Sequence, residues 1–248
     1  MAFPAQKYTN AKKEWAGEKY IVTPSIFKIL VESDLIKNKD VIDIGCGNGN
    51  YSNRMLTWGA KSVHGIDQSI DMINEANATY NKDNLTFENL STFDMKYEEK
   101  YDVAVAFFVM EFNPTIDDLF MSFKNIQKCL KKGGKFVAII PNGTLDYNPT
   151  TEEGQKFGAS WEVDLSTKRY DSERLKVNFY GKNGEVVGNA PVTFFFKETY
   201  TRGALEGGFK RVEYENLIVS EEGNKICGEE FFHSFIHPPK IIFFIGSN

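Results

Sequence analysis

With 248 residues, 42% hydrophobic and 25% charged, the chain is long enough to bury a large core without disulfide or metal support. Its net charge of −5, with no block of basic residues, disfavours a nucleic-acid partner, and no apolar run approaches the about 20 residues of a membrane span. Cys46, Cys129 and Cys227 are too far apart for metal or disulfide spacing, and Met1-Ala-Phe-Pro-Ala shows no basic-then-apolar leader, so a cytoplasmic protein without a metal is expected.

Residues 1–39 read as an N-terminal helical cap, with Tyr8, Trp15 and Tyr20 as its aromatics and Thr23-Pro24 as a helix start. Val41-Ile-Asp-Ile44 is a buried strand that stops at Gly45-Cys-Gly-Asn-Gly49, and a helix follows to Trp58. Ser62 to Asp67 is a second strand, Ser69 caps a helix through Tyr80, and Asn84 to Phe87 is a third short strand. Val103 to Phe108 is a fourth strand. Thr115-x-x-Asp118 reads as a capping box, and the following amphipathic helix is expected to close at Gly133-Gly134 before a fifth strand, Lys135 to Ile140. Strict alternation from 40 to 141 is the pattern of a parallel sheet covered by helices on both faces. Residues 142–174 read as a long polar connection or lid. Leu175 to Tyr180 and Val192 to Phe196 form an antiparallel ribbon, so that 142–200 is an insertion. A short helix over Thr201 to Glu206 and two strands, Phe209 to Val219 and Lys240 to Ile245, complete 201–248 within one domain.

The glycine turn points to a nucleotide-like ligand, because a strand, a Gly-rich turn and a helix N-terminus let backbone approach it closely. Asn50 stands where a dinucleotide fingerprint needs its third glycine, and no phosphate-loop pattern occurs. Asp43 lies at the C-terminal end of the opening strand, where a carboxylate suits an ammonium group and repels a pyrophosphate. Asp67, at the end of the second strand, is placed to accept hydrogen bonds from ribose hydroxyls. The implied ligand has a ribose and an amine but no phosphate.

Asp43-Ile-Gly-Cys-Gly-Asn-Gly49, Gly65-Ile-Asp67, Tyr101 to Met110 and Leu130-Lys-Lys-Gly-Gly-Lys-Phe136 together resemble the motif series of the class I S-adenosylmethionine-dependent methyltransferases. More distantly, the second half is similar to small-molecule enzymes of the toxoflavin-type azapteridine N-methyltransferases. The resemblance implies a Rossmann-like, doubly wound, mostly parallel seven-stranded sheet, with S-adenosylmethionine as cofactor and S-adenosylhomocysteine as product. It places Gly45, Cys46, Gly47, Asn48 and Gly49 along the methionine moiety, Asp43 at its amino group and Asp67 at the ribose. Gln68 and Met72 would flank the adenine, with Asn89, Leu90 and Ser91 where the family usually offers an acid. Tyr20 and Tyr8 belong to a leading helix that closes over the pocket.

Phe107 and Phe108 end the fourth strand where a methyl group would sit; they serve as an aromatic wall or as core. Glu111 would orient an amine or accept its proton, or else is a surface acid before a helix. His233 is a candidate base or a surface residue. Trp161 and Tyr170 are candidates to line the acceptor pocket. The expected activity is methyl transfer to a small molecule by in-line displacement, at nitrogen first and oxygen second, in a monomer or homodimer. The alternatives are a tRNA or protein methyltransferase and a non-catalytic binding module.

Overall fold

A computed structural model describes residues 11–12 and 15–248; Tyr8 lies outside them. Helix α1 spans 18–32 without a break at Thr23-Pro24, in contrast to the expected start there. α-Helical Thr23–Phe27 is flanked by π-helical Glu18–Val22 and Lys28–Glu32. The wider turns accommodate a proline that has no N–H to give. The Thr23 hydroxyl meets the Tyr51 hydroxyl at 2.9 Å instead of capping the helix.

Strands β1 (Asp40–Ile44), β2 (Ser62–Asp67), β3 (Leu85–Asn89), β4 (Tyr101–Phe107) and β5 (Leu130–Pro141) alternate with helices α2 (Asn50–Thr57), α3 (Ile70–Thr79) and α4 (Ile116–Cys129). The Ser69 side chain accepts from Met72 N at the start of α3. At α4, the Thr115 hydroxyl accepts from Asp118 N, but the Asp118 carboxylate takes the hydroxyl proton and not the Thr115 backbone N–H, so the box is a simple cap. Helix α4 ends at Cys129, earlier than the two glycines suggest. Gly133, at φ 79°, lies inside β5, where pairing with β4 jumps from Tyr101↔Leu130 to Val103↔Lys135. A left-handed glycine there makes a bulge, not a helix stop.

The stretch 142–174 is not a bare connection. It contains helix α5 (Thr151–Phe157) and strand β6 (Ala159–Glu162). The missed signal was Thr150-x-x-Glu153, a full capping box in which each side chain accepts the other residue's backbone N–H. Strand β6 joins β7 (Glu173–Tyr180) and β8 (Val186–Phe194) in a three-stranded antiparallel sheet, one strand more than the expected ribbon. Helix α6 (Lys197–Gly207) leads to β9 (Arg211–Asn216). Helices α7 (Glu221–Cys227) and α8 (Glu229–Ile236) then precede β10 (Ile241–Ser247).

The main sheet has the order β3-β2-β1-β4-β5-β10-β9; β10 alone runs antiparallel to its neighbours β5 and β9. Alternate residues of the central strands feed a core on each face. Ile42, Ile44, Ala104, Phe136 and Phe244 meet α4 and α6 on one face, and Val41, Val103, Val137 and Phe243 meet α1 and α2 on the other. Phe123 of α4 centres the first core, with ring centroids 5.2 Å from Phe244 and 6.1 Å from Phe136. Phe123→Ala is expected to lower the unfolding free energy by about 3–5 kcal/mol, read by urea denaturation; a loss below about 1 kcal/mol would contradict this packing.

Candidate functional site

The strand order reverses between β1 and β4, and a crevice opens there at their C-terminal ends, as in other open α/β sheets. It holds a cavity of about 1110 Å³, roofed by β6–β8. That exceeds the about 300–1,000 Å³ of an ordinary small-molecule site and leaves room for two ligands side by side.

One end is built on the glycine turn. Gly47, at φ 55°, lines the cavity, and a Cβ there would meet nothing nearer than Met72 Sδ at 4.0 Å, so its backbone is open to a ligand. Asp67 holds the turn in shape: its Oδ2 accepts from Gly47 N at 2.9 Å and its Oδ1 from Ser69 N at 2.8 Å. Each oxygen keeps a second lone pair for a hydroxyl, and burial pushes its pKa upward. Asp43 is 2% exposed; its Oδ2 accepts from Ser52 Oγ at 2.6 Å, and burial raises its pKa to about 7. Cys46 and Asn48 also line this end, the Asn48 amide donating to Glu75 Oε1 at 3.2 Å. Gln68, Met72, Leu90, Ser91 and Phe93 form the neighbouring wall.

The other end lies beneath the antiparallel sheet. Phe107 and Phe108 line it, with Phe108 at φ 61°, a conformation that costs a non-glycine residue roughly 1–3 kcal/mol. The bend turns the chain into the short 3₁₀ turn Met110–Phe112, which carries Glu111 into the cavity wall. Glu111 is 4% exposed, its Oε2 has no hydrogen-bond partner among the described residues, and burial raises its pKa to about 8. It is therefore no surface acid. Phe112, Tyr147, Phe157, Trp161 and Phe179 also line the cavity.

Five expected residues lie elsewhere. Tyr20 turns its ring onto Phe232, 6.2 Å between centroids, and packs under Gly223, leaving Glu18 and Thr23 of α1 at the cavity. Gly49 is packed closely, and a Cβ there would stand 2.5 Å from Phe87 Cζ of β3 and 3.3 Å from Ala76 Cβ of α3. Asn89 is exposed and its amide donates to Asp67 O at 2.9 Å. His233 lies on an exposed face of α8 beside His237, because the buried face of that helix belongs to Phe232. Tyr170 is 62% exposed on the loop before β7. Conversely, Lys12, Tyr51, Tyr147, Phe179, Arg174 and Lys240 line the cavity. Tyr51 stands two residues after the glycine turn, on α2; the others come from segments distant in sequence, Arg174 and Phe179 from β7.

A family model described as a methyltransferase domain matches residues 35–178, more than half of the chain. The chain belongs to the class I S-adenosylmethionine-dependent methyltransferases. It is 28% identical over 195 residues, 69% of this chain and 79% of that protein, to the ubiquinone biosynthesis O-methyltransferase of Pelagibacter ubique (strain HTCC1062). It is 30% identical over 105 residues to the tRNA U34 carboxymethyltransferase of Nautilia profundicola (strain ATCC BAA-1463 / DSM 18972 / AmH), which is 41% of this chain and only 34% of that protein's length. Its fold matches the crystal structure of an S-adenosylmethionine-dependent methyltransferase from Mesorhizobium loti with a TM-score of 0.65 at 16% identity, over 96% of this chain and 100% of that one.

The glycine-turn end suits S-adenosylmethionine in kind: a buried carboxyl for an ammonium group, a carboxylate with spare lone pairs for hydroxyls, and an apolar wall for a base. Among the described residues no group of three His, Cys, Asp or Glu is placed to hold a metal, and no helix is long and apolar enough to cross a membrane. An ammonium group at Asp43 would pair with its ionised form, so binding there would require that residue to lose its proton. Affinity for S-adenosylhomocysteine is therefore expected to tighten as pH rises through about 7, with proton release seen by calorimetry in buffers of different ionisation enthalpy. Asp43→Asn is expected to flatten that dependence and to weaken binding at pH 8 by roughly 10–100-fold. Equal affinity at pH 6 and pH 8 in the wild type would contradict the assignment.

Proposed function

We propose that this methyltransferase methylates a small-molecule amine, with Glu111 as the group that orients the nitrogen and takes its proton. Asp43 faces the amino group of the cofactor's methionine end, Asp67 the ribose, and Gln68, Met72, Leu90 and Ser91 the adenine. Phe107, Phe108 and Trp161 wall the acceptor. When bound, S-adenosylmethionine supplies a methyl carbon on a sulfonium, and the C–S electron pair leaves with sulfur as the new bond forms.

The observation that carries the reading is the buried carboxyl of Glu111, with an unpartnered oxygen, in a cavity that aromatic residues also line. Burying a carboxylate without a partner is costly, so in the empty site the group holds a proton near neutral pH. An amine resolves the conflict. Its charged form pairs with ionised Glu111, and its neutral form presents a lone pair once the carboxylate has taken the extra proton. Aromatic faces favour the cation by roughly 0.5–2 kcal/mol each. The chain needs to do little more than align the nitrogen with the methyl carbon.

Oxygen methylation is the second reading, favoured by the similarity to an O-methyltransferase. Glu111 would then accept a hydroxyl proton. A tRNA acceptor has only the partial match to a tRNA-modifying protein in its favour. The net charge of −5 and the aromatic roof speak for a small molecule.

An S-adenosylhomocysteine-release assay run on amines, phenols and bulk tRNA tests the reading. Amines are expected to be turned over, with kcat/KM rising through about pH 8 as Glu111 ionises. Glu111→Gln is expected to lower kcat by about 10²–10⁴-fold and to leave S-adenosylhomocysteine affinity unchanged. Turnover of tRNA alone, or full amine turnover by the Gln variant, would sink the proposal.

A further inference from the structure

Charge is distributed unevenly along the acceptor half of the cavity. Glu111 lies at its buried end. From there the wall continues outward through Phe112, Asn113 and Pro114 to Arg174 of β7, which is exposed. Arg174 is held against that strip. One of its Nη1 protons goes to Thr193 Oγ1 across the β7–β8 pairing, and Thr193 Oγ1 donates in turn to Asn113 O at 2.7 Å. The guanidinium is thus tied, through one hydroxyl, to the chain two residues from Glu111.

The other basic residues of the cavity are engaged differently. Lys12 lies 3.7 Å from Glu18, Lys19 3.6 Å from Glu222, and buried Lys240 3.6 Å from Glu153 while donating to Asn148 Oδ1 at 2.7 Å. Arg54 sits on α2 at the cofactor end, over the Tyr51 ring, with its Nε on Asn50 Oδ1. Arg174 has no carboxylate within ion-pair distance among the described residues, and a guanidinium carries five N–H donors, most of which its bond to Thr193 leaves unused. A planar cation anchored at the mouth of an aromatic cavity is suited to two-point recognition of an oxyanion.

We infer that the acceptor is dipolar: an amine at one end, taken by Glu111, and a carboxylate or similar oxyanion at the other, taken by Arg174. This rests on the amine reading for one of its two poles and adds an anion subsite that sets acceptor specificity. The anion stays at the mouth, where the guanidinium is hydrated, and the aromatic span between the poles takes the acceptor's apolar body. Arg174 is a specificity residue; it contacts the acceptor away from the transferring methyl.

The test is binding of matched probes to the full chain with S-adenosylhomocysteine present, followed by calorimetry. The dipolar probes are 4-(aminomethyl)benzoate and 6-aminohexanoate, one rigid and one flexible. Their controls are 4-methylbenzylamine and hexylamine, which lack the anion, and 4-methylbenzoate, which lacks the amine. The dipolar probes are expected to bind at least about tenfold tighter than the matched amines. Arg174→Gln is expected to remove that preference, Arg174→Lys to restore part of it, and both variants to keep wild-type affinity for S-adenosylhomocysteine. Equal binding of dipolar probe and matched amine in both pairs would overturn the anion subsite, as would an equal loss of both in Arg174→Gln. Glu111→Gln separates the two readings. Unchanged amine binding in that variant would remove the amine pole, while binding of 4-methylbenzoate that depends on Arg174 would still uphold the anion pole.

Discussion

Two carboxyl groups, Asp43 and Glu111, are buried at the C-terminal ends of adjacent strands without an ion-pair partner within bonding distance among the described residues. In a folding chain that arrangement is unfavourable, because a charge taken from water needs compensation that neither site fully provides. In the proposed function the ligands bring the missing partners. Asp43 has one hydroxyl, that of Ser52, and Glu111 leaves one oxygen bare. In that reading the two acids divide the chemistry of the cavity between cofactor and acceptor.

The rest of the structure serves to place them. The parallel pairing of β1 with β2 and β4 brings Asp43, Asp67 and Phe107 to one edge. Asp67 then spends both oxygens on backbone N–H groups of its own surroundings, which fixes Gly47 against the cavity before any ligand arrives. At the far end, the left-handed backbone of Phe108 redirects the chain after β4 so that Glu111 points inward and Phe112 packs against the cluster under the antiparallel sheet. That sheet is anchored to the core from several sides. Trp15 Nε1 donates to Tyr180 O of β7 at 2.7 Å, and Lys240, just before β10, reaches Asn148 and Glu153 in the segment that leads into β6. The aromatic roof is thus held by polar ties at its rim.

The cofactor half was legible because its determinants are local. Three glycines at fixed spacing, an acid two residues before them and another at the end of the next strand are all readable within residues 41–67. In the other half of the cavity, Phe107, Phe108, Glu111 and Trp161 could be picked out as candidates from the sequence, and all four line it. The rest is assembled from distant segments: Arg174 and Phe179 arrive only when β6–β8 fold back over the sheet, and Lys240 from just before β10. His233 and Tyr20 show the limit from the other side. Each lies in a suitable aromatic neighbourhood in sequence, but a helix presents only one face to the core, and Phe232 takes that face of α8. Residues 142–174 looked structureless because their helix is one of seven residues, too short to show periodicity; its capping pair was the better signal.

The central claim is that Glu111 carries a proton in the empty site and ionises when a cationic amine pairs with its carboxylate. The most direct measurement is a carbon-13 NMR titration of its carboxyl carbon in protein labelled at glutamate, assigned with Glu111→Gln, with S-adenosylhomocysteine present and with or without 4-methylbenzylamine. The account predicts a midpoint near pH 8 that falls when the amine binds. A midpoint in the ordinary glutamate range, unmoved by the amine, would contradict it.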